Sequence, residues 1–250
     1  MSVNNLAAMF SRVDKIDFDE GLLAYQRYHL VMQALADLYG FTLTQVVSAF
    51  VSLSPNSDYY GNLRSTVSVL QGINQSMGDD DIVVSTYNHC KHRALAYARG
   101  EKSFLQWTKG LKILNFYHNI LDPLDDRHCT IDGHMSAIWQ GRMNMTMKEA
   151  LIKPAQYTLI KEAVTAFAYA HHVRPCEMQA MLWFTRKRVC NVVYDPQLNI
   201  FAQGSDVWNT LANVKLIRPY LKTERAMIEP KGEADPYIDR QFGLFPEMGS

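Results

Sequence analysis

Apolar residues in this chain recur every three or four positions over most of its length, a period that fits one face of an α-helix and not a strand. In "GLLAYQRYHLVMQALADLYG" they fall at Leu22, Leu23, Tyr28, Val31, Met32, Leu35 and Leu38, and Gly40 stands where a helix closes on a left-handed residue. "TLTQVVSAFVSL" follows, with Thr42 and Gln45 spaced as a reciprocal capping box. A Ser-Pro-Asn turn then leads into an amphipathic run expected to stop near Gly72. Further helices are expected over 85–100, 103–107, 111–121, 132–143, 157–171 and 175–189, the last with Pro175 in a first turn that tolerates it.

Residues 191–204, "NVVYDPQLNIFAQG", break the helical period and read as a small hairpin or irregular chain. From about Pro230 onward, Pro, Gly and charge occur without period, as in a tail. The expected organisation is therefore all-α: an N-terminal segment over 1–20, a helical domain over 21–200, and a C-terminal extension and tail over 201–250. At 250 residues and 48% hydrophobic, the chain has enough apolar side chains for a full core.

Formal net charge is zero, which excludes a wholly basic nucleic-acid coat but not a local basic stripe. The opening "MSVNNLAAMFSRVDKIDFDE" lacks the pattern of a signal peptide, and no apolar run reaches the roughly 18 residues of a membrane span. The cysteines Cys90, Cys129, Cys176 and Cys190 are scattered, which supports neither a zinc knuckle nor an iron–sulfur loop. Reduced thiols in the cytoplasm are the expectation, with no membrane partner. The sequence is silent on oligomeric state.

The segment "SFLQWTKGLKILNFYHNILDPLDDRHCTIDGHMSAIW" carries the chemistry. Two short helices around Thr108-Lys109-Gly110 form a hairpin whose backbone amides can face a phosphate. Lys112 starts the second helix, and Asp132 follows after that helix and a loop, so that both reach one cleft. Plainer readings stand beside these. Asp132 has the position of an N-cap, His134 that of a packed helix residue, and Lys112 that of a solvated lysine.

Upstream, Ser54 and Asn56 occupy a turn, and Tyr59, Tyr60, Asn62 and Arg64 offer stacking faces and polar donors within a turn and a half. Tyr87, Asn88 and Lys91 either line the same pocket or form an ordinary helix face. The basic run "TRKRV" ends a helix, where a solvated or macrodipole-satisfying role comes first and a DNA phosphate contact second, and Met178, Met181 and Trp183 read as core.

Gly110-x-Lys112, an apolar helix, a loop and "TIDGHM" resemble the helix-hairpin-helix DNA glycosylase superfamily. There, a Leu-Pro-Gly-Val-Gly-x-Lys hairpin precedes a helix and a Val-Asp-Thr-His-Val segment. By position, Asp132 matches the catalytic aspartate, His134 its neighbour, and Lys112 the lysine that attacks the sugar in bifunctional members. This chain departs from the pattern with Trp107 in place of the proline and Thr108 in place of the first glycine.

"SLSPNSDYYGNLRSTVSVL", "TYNHCKHRAL", "LKILNFYHNI" and "RPCEMQAMLW" are more narrowly similar to the amino acid:DNA transferases and thymine pyrophosphorylases of bacteriophage DNA hypermodification. That resemblance implies a helix-hairpin-helix glycosylase-like domain with a C-terminal extension. It implies a transferase that replaces pyrophosphate on a 5-pyrophosphoryloxymethyl pyrimidine in DNA with an amino acid or amine, in the host cytoplasm. In that reading Asp132 is the general base or electrostatic partner, and Lys112 and Arg64 face the leaving phosphate. Ser54, Asn56, Tyr59, Tyr60, Asn62, Tyr87, Asn88, Lys91 and His134 surround the substrate, and Thr108, Lys109 and Gly110 meet the DNA backbone. No cofactor is expected, with a divalent or monovalent cation at the hairpin left open. The rival readings are a base-excising glycosylase, with or without lyase activity through Lys112, and a DNA-binding module that has lost the reaction.

Overall fold

Asp14 opens the longest described helix, its carboxylate accepting from the Asp17 amide at 2.8 Å. The computed structural model describes residues 3–57, 59–143, 145 and 152–190. Among them are α1 (Val3–Phe10), α2 (Lys15–Tyr39), α3 (Leu43–Leu53), α4 (Tyr59–Asn74), α5 (Asn88–Ala98), α6 (Phe104–Trp107), α7 (Leu111–Leu121), α8 (Gly133–Gln140), α9 (Pro154–Ala170) and α10 (Pro175–Val189). A single 3-10 turn spans Asp79–Asp81, and no strand occurs among the described residues. The expected all-α class holds. The hairpin or irregular stretch over 191–204, the tail and the boundary at 200 lie outside the described residues.

Local signals set the element ends. Gly40 closes α2 at φ +75°, Thr42 and Gln45 form the capping box of α3, and Pro175 sits in the first turn of α10. Other ends shift: the helix expected over 132–143 closes at Gln140 on the left-handed Gly141 (φ +67°), and the one expected from residue 157 begins at Pro154. The run expected to stop at Gly72 continues to Asn74, because Gly72 is a packing residue: a Cβ there would lie 2.5 Å from the Ile82 side chain. The helix expected from residue 85 begins at Asn88, because the Ser85 amide donates to the Ser65 hydroxyl at 2.9 Å instead of entering a helix.

α2 and α10 pair antiparallel along the centre of the molecule. At one end the buried Asp17 carboxylate accepts from Thr185 at 3.0 Å and from the Arg188 guanidinium at 2.9 and 2.5 Å. At the other, the Tyr25 hydroxyl donates to Gln179 at 2.6 Å. Between them, Gly21 lets the two backbones touch: a Cβ there would lie 2.7 Å from the Met181 nitrogen and 2.9 Å from its Cα.

One apolar cluster lies on the α3, α4, α5 and α7 side of this pair, around Phe50, Leu35 and Leu95. A second lies on the α1, α8 and α9 side, around Leu6, Met135 and Ile160. The segment over 1–20 is therefore no separate piece: Leu6 and Met9 are core residues, and α2 runs straight through the boundary expected at residue 20.

No single described helix is long and apolar enough to cross a membrane. α2 and α3 are apolar enough for that only when taken together, and they are bent by 117° at the break between them.

Replacing Gly21 with Ala forces the central pair apart. Overpacking of this kind costs about 1–3 kcal/mol, so the thermal midpoint is expected to fall by roughly 3–10 °C in a circular-dichroism melt. An unchanged midpoint means that the two helices are not in backbone contact.

Candidate active site

The chain after α7 is held so that it delivers Asp132 to the start of α8. Asn119, fully buried on α7, donates to the His128 carbonyl at 3.0 Å and accepts from Thr130 at 3.0 Å. The Tyr157 hydroxyl, from α9, accepts from the Ile131 amide at 3.2 Å and donates to the Cys129 carbonyl at 3.1 Å. Residues 128–131 are thereby pinned from both sides.

Asp132 then caps α8: one carboxylate oxygen accepts from the Met135 amide at 3.0 Å. The other accepts from the Trp183 indole N–H of α10 at 3.1 Å. The N-cap reading is correct, and it does not exhaust the residue. Each carboxylate oxygen retains a further lone-pair direction, and Asp132 lines an open cleft.

That cleft has a volume of about 520 Å³ and is lined from α2, α3, α4, α7, α8 and α10. One end is polar, formed by Lys112, Asp132, His134, Trp183 and Lys187. The other is an aromatic wall in which Tyr28 stands 5.1 Å from Tyr59, 6.1 Å from Phe50 and 6.1 Å from Phe116, ring centre to ring centre. Ser54, Asn56, Ser57 and Asn62 complete that end. Asn62 is buried, and its side-chain oxygen has no partner. An unmet buried hydrogen-bond group costs about 1–3 kcal/mol.

Two basic residues of the run at the end of α10 are buried and not solvated. Arg186 is buried and donates to the His134 Nδ1 at 2.6 Å and to the Met143 carbonyl at 2.7 Å. Lys187 is also buried, with its amine 4.3 Å above the Trp183 ring. Because the guanidinium can only donate, His134 accepts at Nδ1 and carries its proton on Nε2. Burial lowers the His134 pKa, with Arg186, Lys187 and Lys112 adding to the fall and Asp132 opposing it.

Seven residues singled out in the sequence meet here: Ser54, Asn56, Tyr59, Asn62, Lys112, Asp132 and His134. Others do not. Arg64 is exposed on α4 and away from the cleft, because the α4 face that turns inward carries Asn62, Leu63 and Thr66. Lys91 is buried on α5, off the cleft. Tyr87 and Asn88 are exposed beside the rim, where the Thr86 hydroxyl donates to the Pro55 carbonyl and Ser85 contacts Ser57 at 3.2 Å. The side chain of Tyr60 lies outside the described residues.

The hairpin turn runs without a left-handed glycine: Gly110 has φ −73°, and a Cβ on it would meet nothing within 4 Å. Thr108 is held by the Tyr97 hydroxyl at 3.2 Å, and Lys109 and Gly110 are exposed one turn before Lys112. Among the described residues no group of three His, Cys, Asp or Glu side chains is arranged to hold a metal ion.

The cleft also uses residues read as core or as dipole partners. Trp183 and Lys187 line it together with Gln179. Their spacing of four, which puts polar and aromatic groups in one stripe along α10, is the signal that would have found them.

Two expectations follow for the polar end. Asp132→Ala should lower unfolding stability by about 1 kcal/mol through loss of the cap, whereas Asp132→Asn, which still caps, should cost only a few tenths; urea titration separates them. Equal losses would mean that the carboxylate charge, not the cap, holds α8. His134 has a folded pKa below the ordinary value of about 6.5, so the unfolded chain binds the extra proton first and stability falls as pH drops from about 7 towards 5. His118 and His128, also lowered by burial, contribute to the same slope. His134→Gln should make that slope shallower, and an unaltered slope would remove His134 from the account.

A family model described as a family of unknown function, DUF7178, matches residues 1–189 and so ends where α10 ends. No curated protein and no solved structure matches the chain. The ten described helices all lie within the residues this family model covers, and the chain belongs to the DUF7178 family.

Proposed function

We propose that the cleft extrudes and modifies a pyrimidine in DNA, replacing a pyrophosphate on its 5-methylene carbon with an amino acid or amine. The observation that carries this reading is the convergence of Lys112 and Asp132, from either side of one helix and loop, on a cleft whose opposite end is aromatic. The helix–turn–helix over 104–121 ahead of Asp132 supports a helix-hairpin-helix glycosylase-like arrangement. A volume of about 520 Å³ suits one flipped nucleotide and a small co-substrate.

The roles divide by chemistry. As the C–O bond breaks, its electron pair leaves with pyrophosphate, and the departing polyanion needs cations nearby. Lys112 and Lys187 supply them, with Lys187 taking the place first considered for Arg64. The amine nitrogen forms the new C–N bond and gives up one proton. Asp132, fixed by the Met135 amide and the Trp183 indole, holds that ammonium or accepts the proton on a remaining lone pair.

The test is a set of duplex oligonucleotides with thymine, 5-hydroxymethyluracil or 5-pyrophosphoryloxymethyluracil at one position. Each is incubated with the protein and a pool of amino acids and polyamines, then digested for nucleoside mass spectrometry. A heavier nucleoside from the pyrophosphorylated duplex alone is expected, reduced about 100-fold or more in Asp132→Asn and by a smaller factor in Lys112→Ala. Free base or abasic sites would make the protein a glycosylase, and unchanged DNA in every tube would favour a binding module.

A further inference from the structure

The aromatic end of the cleft contains a group that the fold leaves unused. Asn62 is only 3% exposed, yet its side-chain oxygen has no hydrogen-bond partner, and the residue lines the cleft. Its neighbours on α4 are satisfied locally: the Thr66 hydroxyl donates to the Asn62 carbonyl at 2.9 Å, and the Ser65 hydroxyl to the Gly61 carbonyl at 2.7 Å. Buried amides are rarely left this way unless something absent from the free chain completes them.

A primary amide offers one acceptor and one donor side by side, so its natural complement is a ring edge with an adjacent N–H and C=O. The surrounding rings of Tyr28, Phe50 and Tyr59 provide apolar faces for a planar group. Gln179 adds a second amide on the α10 side, its oxygen already engaged by the Tyr25 hydroxyl at 2.6 Å.

We propose that Asn62 is the specificity-determining residue of the cleft, reading the N3–H and neighbouring carbonyl of a uracil-type ring by a two-point contact. The ring lies against the aromatic wall, and its 5-substituent points towards Lys112 and Asp132. The choice of a pyrimidine rests on the proposed reaction; the reading of an imide edge rests on the unpartnered amide oxygen and the donor that an amide carries beside it.

The experiment uses the full chain and two probes, thymidine and N3-methylthymidine, titrated by calorimetry or NMR shift perturbation. N3-methylation removes the donor and adds bulk at the same point. The native protein is expected to bind thymidine at least tenfold more tightly than the methylated nucleoside. Asn62→Ala is expected to lose that preference to within about twofold while melting no lower than the native chain, because no protein hydrogen bond is removed.

A structural asparagine would behave in the opposite way, with a lower melting point and an unchanged preference. Equal binding of both nucleosides, no binding of either, or a preference that survives Asn62→Ala overturns the assignment. Should Asn62→Ala fail to fold, an asparagine that the fold needs is the answer, and that also overturns it. DNA transfer without N3 discrimination would sink the role of Asn62 and leave the reaction standing; discrimination without transfer would do the reverse.

Discussion

The antiparallel contact between α2 and α10 is the constraint from which the rest of the structure follows. Two helices can approach until their backbones touch only where one of them carries no side chain, and Gly21 against Met181 is that point. Asp17 fixes the register at one end through Thr185 and Arg188, and Tyr25 fixes it at the other through Gln179. The same two helices then line the cleft: α2 contributes Ala24, Tyr25 and Tyr28, and α10 contributes Gln179, Trp183 and Lys187. The ion pair at Asp17 therefore does more than join two helix ends. It sets how far along α10 the polar stripe lies relative to the aromatic wall.

Asp132 illustrates how a structural role and the proposed chemical one can share one side chain. An N-cap needs an acceptor in a fixed place, and a site carboxylate needs to be held in one orientation. Capping α8 meets both requirements with one hydrogen bond, and the Trp183 indole locks the second oxygen. His134 adds a donor of defined tautomer, because Arg186 occupies its other nitrogen. Trp183 in turn lies under the Lys187 amine, so cation, ring and carboxylate form one connected stack across α8 and α10. A chain of zero net charge thus gathers two lysines against one carboxylate in its cleft. Bulk neutrality and a locally positive site are compatible, because the field in a cleft depends on its lining residues.

Much of this was legible in the sequence, for identifiable reasons. Gly40, the Thr42–Gln45 box, Pro175 and Asp132 are local signals whose physics acts within one turn, and each ends or starts a helix as read. Gly72 misled because a glycine that admits a neighbouring side chain looks the same, in one dimension, as one that ends a helix. Asn62 and Arg64 sit two positions apart on α4, so only one of them could turn inward, and the apolar period around Leu63 and Thr66 did not decide which. Lys187 and Arg186 were hidden by their company. A basic run at a helix C-terminus has an adequate explanation in the macrodipole, and only tertiary packing reveals that these two are buried.

The division of the cleft into unlike ends limits what chemistry it can favour. Aromatic walls attract a flat, weakly charged group but offer nothing to a polyanion, whereas lysines beside a carboxylate do little for a base that only needs stacking. A ligand filling both ends must therefore be planar at one end and ionic at the other, with the reacting atom between them near Asp132. An unmodified nucleotide meets this only through its backbone phosphates, which lie on the sugar side of the base. A pyrimidine with an anionic 5-substituent meets it along the plane of the ring itself, from the imide edge at Asn62 to the charges at Lys112 and Lys187. Under the proposed reaction, the order of the two ends and the unpartnered Asn62 oxygen have a single common explanation.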